Sequence, residues 1–98
     1  MVIISNVSYP TESTQAVAKR FVELPQVPDF MPRRGPYVSA TVSDGISIIS
    51  LFELDNANLA AGLEFLGNYY ANFFGIPGFK YEFKPFFHVG EALKMIGM

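Results

Sequence analysis

The chain has no cysteine and no tryptophan, a single histidine, and little charge for its length. The missing cysteines exclude disulfides, thiolate metal sites and a thiol nucleophile. One histidine excludes the His-rich metal sites as well, so neither a metal nor another cofactor is expected. Net charge is −2, with four lysines, three arginines and no basic run longer than Arg33-Arg34. Such a chain has no field to hold a phosphate backbone, and nucleic-acid binding is not expected. The opening Met1-Val2-Ile3-Ile4-Ser5 has no basic stretch before its short apolar run. A secretion signal or a membrane span is therefore not expected there, and a cytoplasmic location is the default.

What the chain has in quantity is apolar surface. Hydrophobic residues make up 50% of its 98 residues and charged ones only 16%, against about 25% charged in an average soluble domain. A chain this long forms one domain, spanning residues 1–98, and buries enough surface to fold without staples. So few charges cannot cover it, so part of the apolar surface is expected to meet a partner.

Residues Val2 to Tyr9 are mostly β-branched and apolar and end at Pro10, which reads as a buried strand. Thr11 is a candidate N-cap, and Val17, Phe21 and Leu24 follow at helical spacing until Pro25. The stretch from Pro25 to Pro36 holds four prolines and reads as a stiff loop. Tyr37 to Ser43 and Ile46 to Leu54 read as two strands joined by a two-residue Asp44-Gly45 turn. Asp55 can cap a second helix with the stripe Leu59, Leu63, Leu66, Tyr70, Phe73, in which Gly62 and Gly67 suggest close approach to the sheet or to a partner. Lys80 to His88 reads as a fourth strand whose Pro85 needs an edge or a bulge, and Gly90 to Ile96 as a short terminal helix.

The order βαββαβ is that of the ferredoxin-like fold: α+β, with an antiparallel four-stranded sheet and two helices on one face. With the Pro-rich loop before the second strand, the apolar third strand running into a capped helix, and the short tail helix, the chain resembles the dimeric α+β barrel superfamily. There, two ferredoxin-like sheets pack face to face. The resemblance implies a homodimer with a cavity between the sheets. It also brings in stress-responsive barrel proteins, muconolactone-isomerase-like enzymes and antibiotic-biosynthesis-type and haem-degrading monooxygenases. The haem-degrading type uses an Asn on its first strand, a His and a Trp; this chain offers Asn6 and His88 and has no Trp.

A two-residue turn at Asp44-Gly45 makes Ser43 oppose Ile46, Thr41 oppose Ile48, Ser39 oppose Ser50 and Tyr37 oppose Phe52. Opposed residues share a face. Val38, Ala40, Val42, Ile49 and Leu51 then suit the underside of the helices. Tyr37, Ser39, Thr41, Ser50 and Phe52 look away from them, with Glu82, Lys84, Phe86 and His88 from the last strand and, by a freer choice, Asn6. A single layer of helices leaves this second face bare, and a second copy of the chain would cover it and enclose a cavity.

The expected ligand is small and apolar or aromatic, held by Tyr37, Ser39, Thr41, Ser50, Phe52, Lys84 and Phe86, with Arg33 and Arg34 at the mouth able to clamp an anionic group. If the protein is an enzyme, it is a cofactor-independent monooxygenase or isomerase, with His88 as general base and Asn6 orienting a carbonyl. Each residue has a plainer role, since a lone His is more often structural, a buried Asn more often serves the backbone, and loop arginines are usually solvated. Aromatics at Tyr69, Tyr70, Phe73 and Phe74 read as core or interface. A pure interaction module without a pocket is the third reading.

Overall fold

The computed structural model describes residues 1–43 and 45–98. The strands are β1 (Val2–Tyr9), β2 (Arg33–Thr41), β3 (Gly45–Glu53) and β4 (Lys80–Phe86), and the helices α1 (Thr14–Val22), α2 (Leu59–Ala71) and a short α3 (Val89–Met95). One turn of 3₁₀ helix, Thr11–Ser13 and Asn56–Asn58, leads into each of α1 and α2. The strands pair antiparallel in the order β2-β3-β1-β4, which is the ferredoxin-like arrangement. β1 and β3, the most β-branched segments, take the two interior positions. The edges fall to β2 and β4, the strands that carry Pro36 and Pro85, where a missing N–H costs no ladder bond.

The core lies between the sheet and α2. Ile3, Val7 and Tyr9 from β1 and Phe52 from β3 meet Leu66 and Tyr70 from α2 and Phe73 just past its end. Met31, from the Pro-rich segment, is fully buried among them. Phe73 stacks on Phe79 at 4.8 Å, and Tyr70 stacks on Tyr81 and Phe83 of β4 at 5.2 and 5.9 Å. Offset rings at these separations add to the burial they already provide. At one end α1 is tied to the far end of α2, where Arg20 Nη1 donates to the carbonyl oxygens of Asn72 (3.0 Å) and Phe74 (2.7 Å). A cation at these unsatisfied helix-end carbonyls is favourable. At the opposite edge α3 is held by its Glu91, 3.0 Å from the Met1 amino group and accepting the His88 N–H at 3.1 Å. These two contacts hold the Glu91 carboxyl below its ordinary pKa.

Three sequence expectations need correction. The first is the hairpin register: Thr41 opposes Gly45, Ser39 opposes Ser47 and Tyr37 opposes Ile49. Asp44 of the expected two-residue turn lies outside the described residues, and Gly45 is already paired with Thr41. Tyr37 therefore faces a residue three places earlier on β3 than expected, and an odd shift exchanges the faces of one strand relative to the other. Tyr37, Ser39 and Thr41 look to the open face as expected. Ser50 and Phe52 look to the helices instead, with Val38 and Ala40, while Ile49 and Leu51 move to the open face.

Second, β2 begins at Arg33, inside the stretch read as loop. A bulge lies between Arg34 and Tyr37, so that Gly35 and Pro36 together take the place of one residue opposite β3. Gly35 has φ +98°, and a Cβ there would lie 3.0 Å from the Ile49 carbonyl oxygen. Only glycine meets both conditions comfortably. Third, β4 stops at Phe86, so His88 leaves the sheet and becomes the residue before α3.

Gly62 and Gly67 separate cleanly. A Cβ on Gly62 would come within 2.8 Å of Leu54 Cδ1, whereas nothing lies within 4 Å of one on Gly67. Gly67→Ala is expected to raise stability by about 1 kcal/mol through helix propensity alone, read as a higher urea midpoint at unchanged slope. An unchanged or lower midpoint would mean that something packs on that side of α2.

Candidate functional site

The bulge has a direct consequence for Arg33. Upstream of it Arg33 opposes Phe52, and downstream Val38 opposes Ile48. An odd and an even residue of β2 thus share the helix-facing side. Without the extra residue Arg33 would point to the open face with Tyr37. Instead its half-buried side chain runs into the gap between α1 and α2.

There the guanidinium sits among three rings, 5.4 Å from Phe52, 5.7 Å from Tyr69 and 5.9 Å from Phe21, within reach for cation–π attraction. Nε and Nη2 both donate to Ser50 Oγ, at 3.3 and 3.1 Å, and Nη1 donates to the Tyr69 hydroxyl at 3.3 Å. Ser50 lies opposite Ser5 on β1, and each is only 1% exposed. Ser5 Oγ is hydrogen-bonded to the Tyr70 hydroxyl. Burial pushes the Tyr70 phenol up from its ordinary pKa, with the Ser5 bond and the positive Arg33 acting against it. The two buried serines thus interrupt the apolar inner face of the central strands, and each is answered by a side chain from another element.

Beside this network is a cavity of about 220 Å³ between the sheet and the helices. Val7, Ile48 and Val38 form its floor, Tyr69 and Tyr70 of α2 with Phe73 just past its end one wall, and Val17, Ala18 and Phe21 of α1 the other. Arg33 and Pro36 stand at its β2 side, and Arg33 is the one charged residue in the lining among the described residues. The space exists because α1, short and fastened to α2 at one end by Arg20, makes only sparse contact with the sheet.

Of the residues singled out in the sequence, Arg33, Ser50 and Phe52 come together, on the helix side rather than the open face. Arg34, Tyr37, Ser39, Thr41, Lys84 and Phe86 fall on the open face with Asn6. Lys84 Nζ lies 5.5 Å from the Phe86 ring. Asn6 is exposed in a shallow polar groove with Ser8, Ser47 and Glu82. His88 Nε2 is 3.3 Å from Glu53 Oε2 at the far end of the sheet. Asn6 pairs with Glu82, while the strand runs on past Phe86, opposite Val2, before reaching His88. More than about 13 Å of strand therefore separates the two, and they do not converge. Among the described residues no cluster of His, Asp and Glu is arranged to hold a metal ion, and no helix is long and apolar enough to cross a membrane.

The wall residues Tyr69, Tyr70 and Phe73 were legible only as core or interface. What set them apart was their number: α2 carries aromatics on two adjacent sides, more than one stripe against a sheet requires. In comparisons with family models, with curated proteins and with solved structures, no match to this chain was found.

Proposed function

We propose that this ferredoxin-like domain is a small-molecule binder that takes a flat apolar or aromatic ligand into the cavity between its sheet and its helices. The observation that carries this reading is the cavity itself, about 220 Å³ with walls of tyrosine and phenylalanine. An apolar cavity near 150 Å³ suffices for benzene, so this one has room for one or two fused rings. Desolvated aromatic walls favour stacking on such a ligand, and Phe21 at the rim is exposed enough to close over it. This places the ligand on the opposite side of the sheet from the one the sequence suggested.

The test is calorimetric titration with 2-naphthol, a neutral two-ring probe. Saturable binding of one molecule per chain is expected, and Ala18→Phe, which plugs the cavity from the exposed side of α1, should abolish it. Absence of saturable heat up to millimolar probe, or full binding by Ala18→Phe, would show the reading to be wrong.

We also infer that the open sheet face meets a second copy of the chain. Tyr37 is 56% exposed there and Ile49 and Phe86 are each 39% exposed, beside Ile4 and Leu51. The long dimensions of the molecule, 49 and 29 Å, give room for the roughly 800 Å² per partner that stable interfaces use. Glu82 and Lys84 on the same strand provide opposite charges for a two-fold pairing at its rim.

A further inference from the structure

The cavity contains an unneutralised cation, and that narrows its ligand class. Resting on the ligand-binding reading above, we propose that the ligand is a carboxylic acid, an aromatic or apolar monoacid, whose carboxylate is received by Arg33 while its ring system fills the aromatic cavity.

Arginine carries five N–H donors. Ser50 and Tyr69 occupy three of them, which leaves one N–H on each terminal nitrogen without an acceptor among the described residues. No aspartate or glutamate among those residues lies within ion-pair distance of Arg33. The side chain is nevertheless drawn into a half-buried position among three rings, where a charge loses much of its hydration. Two free donors on a planar fork match the two oxygens of a carboxylate.

The surroundings hold that fork in place before any ligand arrives. Ser50 is fixed by its place on an interior strand, Tyr69 by α2, and the Arg33 backbone by the bulge at Gly35 and Pro36. Neither Ser50 nor Tyr69 brings a formal charge, so both orient the guanidinium without neutralising it. The rest of the lining is apolar or phenolic. A second ionised group on the ligand would find no counter-charge there, which favours a monoacid over a diacid or a phosphate ester. With a net charge of −2, the protein as a whole does not attract anions, so any preference for an acid must be local.

The experiment compares 2-naphthoate with 2-naphthamide, nearly the same shape with and without the charge, by calorimetry at neutral pH on the intact chain. Naphthoate is expected to bind about 10- to 100-fold more tightly, the range of a charge-assisted hydrogen-bonded pair. Arg33→Met should bring the two affinities together by weakening naphthoate alone, and Arg33→Lys should keep part of the preference. Equal affinity of the two probes for the unaltered chain would overturn the acid assignment while leaving the cavity reading intact. A preference that survived in Arg33→Met would overturn it too. Failure of both probes to bind would remove the cavity reading, and the assignment with it.

Discussion

Replacing Phe52 by alanine is expected to lower the free energy of unfolding by about 3–5 kcal/mol, the range for deleting a buried aromatic ring. Phe52 is 1% exposed, in the centre of the layer between sheet and helices. The loss has two parts. The ring leaves a hole lined by residues that the sheet holds in place, and Arg33 loses the face it lies over at 5.4 Å. Urea unfolding of Phe52→Ala against Ile49→Ala measures the difference directly. Ile49, on the open face, should cost far less at concentrations where the chain is monomeric. The two-residue turn inferred from Asp44-Gly45 would reverse that ranking, so the pair of variants tests the hairpin register as well as the core.

The second large effect concerns association. Ile49→Asp places a charge in the middle of the open face, beside Tyr37 and Leu51, where an interface between two copies would bury it without a partner. Light scattering on the unaltered chain should give the mass of a dimer at micromolar concentration, and Ile49→Asp should give 10.9 kDa at unchanged helix and strand content. A monomer before the substitution would remove the dimer proposal, and a dimer after it would move the interface elsewhere. Because the open face and the ligand cavity lie on opposite sides of the sheet, Ile49→Asp should still bind 2-naphthol.

Much of the fold was legible because its signals are local. Val2 to Tyr9 follows from its β-branched, apolar composition and the stripe Leu66, Tyr70, Phe73 from periodicity, and Pro10, Pro25, Pro77 and the glycines around it mark where elements stop. Pro85 required an edge or a bulge, and β4 is an edge. The faces of the hairpin were not legible, because they turn on how many residues the connection uses. Asp-Gly favours a two-residue turn, but Gly45 is already paired with Thr41, at a strand end where its φ is positive and a Cβ would lie only 2.6 Å from the Tyr9 carbonyl oxygen. A glycine chosen for close approach resembles a glycine chosen for a turn.

The candidate site depended on a second such count. Arg33, Ser50 and Phe52 were each singled out from the sequence, and they do meet. The side taken by Ser50 and Phe52 follows from the hairpin register, and that of Arg33 from the bulge at Gly35 and Pro36, where one extra residue inverts the alternation. A proline-rich stretch at the start of an edge strand conceals such an insertion, since proline is equally at home in the loop. The cavity was not legible either. It comes from α1 standing off the sheet, and the Arg20 bonds to Asn72 and Phe74 that fix α1 at one end join residues more than fifty positions apart.

The claim on which the function rests is that the ligand lies between the sheet and the helices. Intermolecular nuclear Overhauser contacts in a complex with 2-naphthoate test it most directly. Contacts from the ring protons to the Val17 methyls and to the Tyr69 and Phe73 rings are predicted, with none to Ile4, Ile49 or Leu51. Contacts to those three open-face residues, with none to α1 or α2, would contradict it.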